Sequence, residues 1–472
     1  MRVRSFVAIG LPGRLAPLRF PAGRSMDSAK PYRIAFIAGL LLAGVCTVEA
    51  VNTMRMWSGS QEHPQFPQDY LSRGIYSAYA LVRPLDATST DFAPSVRAAQ
   101  ALLAGNQHLY AEFDEHRSSF IYPPSAALLL APFGWVGNAF GEGAATRAMD
   151  ALGRLCVALL VVIACVVLRP HIRGWPDWGA VVVALLAFYP SRWALVCVQA
   201  QLLVNLVLAA ALLAYGRGWR GSCGVLLGLA SVLKPHFALL SVFGLLRREW
   251  LVTFACIGTV GVAAGVTVAI LGWEPWTTYV ERVVPPMSQG YAMEANQSLL
   301  GLLRRWVGDD PSFTVTPISP SVRVLGLVGS AALLIAAVVP RGRRAQPPVS
   351  DGTRMRMRSV DLGVAALAIM LASPIAWEHH FGWTIVLFAA CYGLVERHGR
   401  AIRIVLGVSY VILGTSWYAV ARGQPGPVSL LNSLPVFAAL ALLSSAWWLC
   451  RAAQGQVDVL SVGPTRPEAT SC

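Results

Sequence analysis

The sequence predicts an all-α polytopic membrane protein: a bundle of about twelve transmembrane helices with an external loop carrying amphipathic helices. Three observations predict it. Of 472 residues, 55% are hydrophobic and only 13% are charged, where a soluble chain carries about 25% charged. Apolar runs of bilayer length recur from end to end, and short arginine clusters fall between them, as at Arg341–Arg344 and Arg354–Arg358. This composition excludes a disordered chain, a collagen and a disulfide-rich scaffold. The net charge of +14 reads as the basic cytoplasmic loops of a membrane protein rather than a nucleic-acid surface. The nine cysteines form no CxxC pair and mostly lie inside apolar runs, so they read as small core residues.

The first 25 residues hold five arginines and no acid; residues 1–32 are expected to form a basic cytoplasmic tail, with Met26 an alternative start. No cleavage pattern closes the run Ile34–Val51, so it reads as a retained helix starting inside. Since roughly 20 apolar residues span a bilayer, further spans are expected at Leu152–Leu168, Gly179–Tyr189, Ala194–Tyr215, Leu251–Leu271, Val322–Val339, Val360–Ala376, Gly382–Val395, Ile402–Ala421 and Leu430–Leu449. Tyr122–Val136 is short and holds three prolines, and Ser222–Leu246 is broken at Lys234-Pro235. Treating the first as re-entrant and the second as two short helices meeting at Lys234 places Arg169, Arg173, Arg217, Arg220, Arg247 and Arg248 in the cytoplasm, together with the clusters near 350 and 397–403. The expected domain is then 33–450, with external segments 53–120 and 272–320, an external corner at 377–381 and a cytoplasmic tail at 451–472. An amphipathic helix is expected at Ala93–Ala104.

Ionisable and polar groups beside membrane spans are costly and therefore point to function. Asp91, Gln201, Lys234, Asn296 and the His379-His380 pair all fall on the external side of this topology. Each has a plain structural alternative. Asp91 precedes Phe-Ala-Pro and reads equally as a helix N-cap. Lys234 is placed either to snorkel or to meet a lipid phosphate. Asn296-Gln297-Ser298 reads as a polar cluster or a helix cap, and Tyr122-Pro123-Pro124 as a rigid turn. Adjacent histidines do not face one ion as i,i+4 histidines do, so His379 and His380 read as donors to phosphate or sugar, and no metal site is expected.

The order of these residues carries a resemblance. Asp91-Phe92, Leu102-Leu103-Ala104-Gly105, Phe120-Ile121-Tyr122-Pro123-Pro124, Gly228-Leu229-Ala230 with Lys234-Pro235, Asn296-Gln297-Ser298 and Ser373-Pro374-Ile375-Ala376-Trp377-Glu378-His379-His380 resemble glycosyltransferase family 87 (the DUF2029 group), across roughly residues 30–450. The sequence departs from that pattern at Ala200-Gln201, where the family often has Gly-Gln-x-Asn, and at Ser95, where a tyrosine is common; Asp69 supplies a competing acid.

The resemblance implies a GT-C-type helical bundle in the bacterial inner membrane, acting on its periplasmic side. It implies a polyprenyl-phosphate-linked sugar as donor, a glycolipid or glycan of the envelope as acceptor, and no cofactor. The sugar, mannose by family frequency, would move in one inverting displacement. On that reading Asp91 is the general base, Lys234 with His379 or His380 neutralises the departing phosphate, and Gln201 and Asn296 hold sugar hydroxyls, with Tyr122 part of the substrate pocket. Trp377 would stack on sugar or isoprenoid, or serve as an interfacial anchor. The rival readings are a lipid-linked sugar transporter or flippase, expected to show two similar halves, and a non-catalytic scaffold.

Overall fold

The computed structural model describes residues 33–59, 73–85, 91–113, 119–307, 316–338, 350–395, 398–417 and 431–461. The tail 1–32, Asp69, the Arg341–Arg344 cluster and the last residues of the C-terminal tail lie outside them. All regular structure among these residues is helical. In chain order the α-helices are α1 (Arg33–Gly59), α2 (Arg73–Tyr79), α3 (Ala93–Leu103), α4 (Pro124–Phe140), α5 (Glu142–Leu168), α6 (Trp175–Leu186) and α7 (Tyr189–Val196). There follow α8 (Gln201–Arg217), α9 (Arg220–Leu233), α10 (Leu240–Leu246), α11 (Trp250–Leu271), α12 (Glu274–Thr278), α13 (Val284–Gln289) and α14 (Leu299–Trp306). The last five are α15 (Pro320–Val338), α16 (Asp351–Ala372), α17 (Thr384–Val395), α18 (Arg400–Leu413) and α19 (Leu434–Ser461).

Local chemistry sets the boundaries that matter for the site. Proline disfavours helical backbone in the residue before it, so α9 stops at Lys234, which is extended at φ −132° and ψ 93°. The chain then makes a 3₁₀ turn, Pro235–Leu239, before α10. This is the expected pair of short helices meeting at the lysine. In the same way α16 ends with Ser373 extended before Pro374. Gly218, at φ 82°, closes α8 and lets the Trp219 N–H reach the Ala214 carbonyl, a left-handed cap that suits glycine.

Two expected spans are divided differently. The run expected at Gly179–Tyr189 stops at Leu186, and a bend of 52° separates α6 from α7, which Pro190 opens. The run expected at Ala194–Tyr215 is interrupted at residues 197–200, and only Gln201–Arg217 continues as α8. Among the described residues, five helices are long and apolar enough to cross a membrane: α1, α5, α11, α15 and α19; the bent pair α6–α7 makes six. The other expected spans are present as shorter helices or, in α16, as a helix whose first turns carry Asp351, Arg354, Arg356 and Arg358.

The core is built on α8, α16 and α17. From Val360 to Leu371 nearly every residue of α16 is buried, and α17 is buried almost throughout, as expected of helices apolar on all faces. The outer helices show the opposite pattern. Phe254, Ile257 and Val262 of α11 and Val324, Leu325, Leu327 and Val328 of α15 are exposed. So wide an apolar surface suits lipid, not water. Exposed tryptophans stand at both ends of α11, Trp250 as its first residue and Trp273 two residues past its last, about 33 Å apart along a helix of 22 residues. That spacing matches the two aromatic belts of a bilayer.

α3 and α4 pack against each other beside the bundle. Gly134 permits the approach: a Cβ there would lie 2.7 Å from the backbone carbonyl carbon of Ala99. Phe92 meets Phe133 edge-on at 5.3 Å, and Arg97 pairs with Glu112 at 2.8 Å and Glu142 at 3.4 Å.

Candidate active site

The site forms where α3 begins, α4 begins, α8 begins, α9 breaks, and α16 turns into α17. Helix direction brings these points together: α8 runs away from this end and α9 returns to it. The turn after α16 is a 3₁₀ segment, Glu378–Trp383, wholly buried. It is pinned by an antiparallel backbone bridge between Asn296 and Trp377, in which Gln297 N–H donates to the Ala376 carbonyl at 2.6 Å and Glu378 N–H to the Ala295 carbonyl at 3.1 Å.

His380 shows what the turn achieves. Its Nδ1 accepts the Trp377 backbone N–H at 3.2 Å, so in the neutral ring the proton resides on Nε2. That Nε2 faces the Lys234 Nζ at 3.5 Å. Two donor-bearing nitrogens therefore face each other, an arrangement completed by an anionic oxygen that accepts from both. Burial first, and then the nearby lysine, hold His379 down to about 3 and His380 well below the usual imidazole range. Both rings are thus neutral near pH 7. The His379 Nε2 is buried without a hydrogen-bond partner, as is the Nε2 of His236 on the turn after Lys234.

Lys234 also lies over the Tyr122 ring, 5.1 Å from its centroid. Tyr122 belongs to an aromatic ladder in which Tyr279, Tyr110, Phe120 and Tyr122 follow at 5.9, 5.6 and 5.7 Å. The Tyr110 hydroxyl donates to the Tyr122 carbonyl at 2.7 Å, fixing the turn before Pro123-Pro124. Asp91 is within electrostatic reach of the Tyr122 hydroxyl. The tyrosine therefore touches the lysine and lies within electrostatic reach of the acid.

Asp91 is exposed and does not cap α3. The cap position is Phe92, and no side chain bonds there. Instead the Asp91 Oδ2 accepts from the Gln199 Nε2 at 3.1 Å. Gln199 sits in the break between α7 and α8, next to Val198, whose φ of 48° is unusual for a β-branched residue. The capping alternative for Asn296-Gln297-Ser298 holds at Ser298, which accepts the Gly301 N–H at the start of α14.

Two expected sugar-holding residues are largely occupied by scaffold. The Asn296 amide donates to the carbonyls of Tyr291 and Pro374 at 2.9 and 3.1 Å, and its oxygen accepts from Ala376 N at 2.9 Å and Ser298 N at 3.3 Å. That is the full capacity of a carboxamide. Gln201 donates to the Asn205 Oδ1 at 3.1 Å, and Asn205 donates to the His379 carbonyl at 3.0 Å. The Gln201 Oε1 remains buried without a partner. Trp377 stacks on Tyr291 at 5.5 Å, so one of its faces is occupied.

Several members of the site carried no role in the sequence reading. Glu378 is buried and accepts the Tyr189 hydroxyl at 2.8 Å. Burial pushes its carboxyl up to about 7, although Arg73 and the Tyr189 hydroxyl pull the other way. Cys197, at the end of α7, lies within electrostatic reach of Asp91, Arg73 and Glu378. Asn205 was signalled by its i,i+4 spacing from Gln201. Gln199, Tyr189 and His236 had no signal beyond being polar in apolar surroundings. No group of three or more His, Cys, Asp or Glu side chains among the described residues is arranged to hold a metal ion.

An acid, a lysine and two imidazoles thus share one end of a helical membrane bundle. Residues 120–374 match glycosyltransferase family 87, more than half of the chain, and the protein belongs to that family. Tyr122, Gln201, Lys234 and Asn296 lie within the matched residues; the 377–380 turn lies just outside, and Asp91 lies well before them. The chain is 26% identical over 291 residues to a polyprenol-phosphate-mannose-dependent alpha-(1-2)-phosphatidylinositol mannoside mannosyltransferase of Mycolicibacterium smegmatis, covering 59% of this chain and 62% of the relative. It is 24% identical over 317 residues to the protein of the same description in Mycobacterium tuberculosis, covering 62% and 66%. The match therefore spans just under two thirds of the length of these relatives.

Proposed function

We propose that the protein transfers a sugar, mannose, from a polyprenyl-phosphate donor to a mannosylated phosphatidylinositol or similar envelope glycolipid. The family supports the transferase chemistry, and the descriptions of the two relatives suggest donor and acceptor. The observation that carries the reading is the Lys234–His380 pair, two donors opposed at 3.5 Å beside a tyrosine that lies within electrostatic reach of Asp91.

In the proposed reaction an acceptor hydroxyl oxygen attacks the anomeric carbon as the bond from that carbon to the phosphate oxygen breaks. The bonding pair leaves with the phosphate, and the hydroxyl proton goes to the Asp91 carboxylate. One displacement inverts the anomeric configuration. Lys234 Nζ and His380 Nε2–H stabilise the charge on the leaving phosphate, where fixed donors are most effective away from water. Gln199 aims the Asp91 carboxylate, and the free Gln201 oxygen is placed to accept from a sugar hydroxyl. Trp377, stacked on Tyr291, would contribute its indole to holding sugar or isoprenoid. The charge on the phosphate is met by side chains, so the reading requires no metal or other cofactor.

The membrane placement belongs to the same proposal. The twelve helical segments α1, α5, α6–α7, α8 to α11 and α15 to α19 would cross or enter the bilayer, with both termini inside and the site on the periplasmic face of a bacterial cell membrane. Arg169, Arg217, Arg220, Arg247, Arg354 and Arg400 all lie at helix ends opposite the site, in short connections where the charge bias is informative.

Purified protein in lipid nanodiscs, supplied with labelled polyprenyl-phospho-mannose and a phosphatidylinositol mannoside, tests the chemistry. Asp91→Asn is expected to lower turnover by about 10²–10⁴-fold with little change in donor KM. Turnover within twofold of the wild type would remove Asp91 from the reaction.

A further inference from the structure

A second feature lies at the arginine-bearing end of the bundle, away from the site. An apolar groove runs between α1, α6, α17 and α18, walled by Ile37, Ala38, Val181, Ile385, Phe388 and Gly407. It encloses about 140 Å³. Tyr410 closes its deep end, with the hydroxyl donating to the Ala184 carbonyl at 2.7 Å. Arg33 and Arg403 complete the lining at the other end.

Both arginines occupy the first turns of their helices, α1 and α18. A helix N-terminus already carries partial positive charge, and cations are favoured at the other end. Two guanidinium groups placed against two helix N-termini therefore build a positive rim that the helices themselves do not favour. Among the described residues the carboxylate at this rim is Asp177, and its two oxygens accept the backbone N–H groups of Ala35 at 3.1 Å and Arg173 at 2.9 Å. Among those residues the rim keeps an excess of positive charge.

We propose that this groove is a binding site for an anionic phospholipid, with one acyl chain between the four helices and the phosphate held by Arg33 and Arg403. Charge complementarity selects the occupant: a zwitterionic headgroup would bring an ammonium to a rim that is already positive. The proposal rests on the membrane placement given above, which puts the rim in the leaflet facing the cytoplasm, where anionic lipids are drawn to basic residues. It does not depend on the transfer chemistry.

The test is native mass spectrometry of the full chain released from detergent with equal amounts of phosphatidylglycerol and phosphatidylcholine of identical acyl chains. The wild type is expected to retain phosphatidylglycerol with a preference of about tenfold or more. The double variant Arg33→Gln with Arg403→Gln is expected to lose that preference while its sugar-transfer rate and thermal unfolding stay those of the wild type. Ala38→Phe, which fills the groove, is expected to reduce retention of both lipids. Equal retention of the two lipids by the wild type would overturn the proposal, as would a preference that survives the double variant. A photoreactive amino acid at Ile37 that crosslinks to residues 1–32 instead of added lipid would likewise overturn it. Loss of transfer in the Asp91 variant alone bears on the active-site reading and leaves this one standing.

Discussion

In the proposed reaction Lys234 is the residue that meets the anion. Its ammonium lies against the Tyr122 ring and opposite a neutral imidazole, so neither neighbour neutralises it. Lys234→Ala is therefore expected to raise the donor KM by at least about tenfold, since a charge-assisted bond to phosphate is worth roughly 1.5–3 kcal/mol, while Lys234→Arg restores part of the loss; donor titrations at fixed acceptor would check this. Glu378 supplies a pH test. Its folded carboxyl is raised from 4.5 to about 7, so between those values the folded protein holds a proton that the unfolded chain has released. Stability is then complete below pH 4.5 and declines as pH rises through about 7. Glu378→Gln is expected to flatten that slope in thermal unfolding curves, and a wild-type curve level across this window would contradict the assignment. The Glu378 signal was on the page in the sequence, between a tryptophan and two histidines. Its partner Tyr189 is nearly two hundred residues away, and only folding shows the pair.

The elements carry a second layer of the design. The pairing of α3 with α4 depends on Gly134, so Gly134→Val is expected to push Asp91 away from Tyr122 and lower turnover more than it lowers the midpoint of thermal unfolding. Asn296 joins the segment before α14 to the turn after α16 through four bonds to backbone. Asn296→Ala leaves buried polar groups unpaired at about 1–3 kcal/mol each, and is expected to lower the unfolding midpoint by several degrees in a melting experiment. The elements also show what patterning can and cannot reveal. The break at Lys234 was legible because a proline follows it. The break at residues 197–200 was not, because Cys-Val-Gln-Ala holds neither proline nor glycine and lies inside a run of apolar residues. Asn296 was legible as a polar residue beside the bundle but not in its bonding, since the same amide can bind a sugar or a carbonyl and sequence records neither.

At the scale of the molecule, composition gave the helical membrane class, because low charge and bilayer-length runs leave few alternatives. The number of crossings was less accessible. A short helix such as α17 is buried by its neighbours, so it need not satisfy the length that lipid imposes on α11 or α15. In a cysteine-free background, Asn106→Cys is expected to react with an impermeant maleimide in intact cells and Gly399→Cys only after permeabilisation; the reverse pattern would invert the membrane placement. The strained residue beside Gln199 bears on any attempt to harden the protein. Holding Val198 at φ 48° costs about 1–2 kcal/mol, and Val198→Gly would release that strain. The same freedom would let the carboxamide wander from its acid, so the variant is expected to melt later and turn over more slowly. A hardier version of this enzyme is better sought among the lipid-facing helices than at that tight corner, where sturdiness and speed oppose each other.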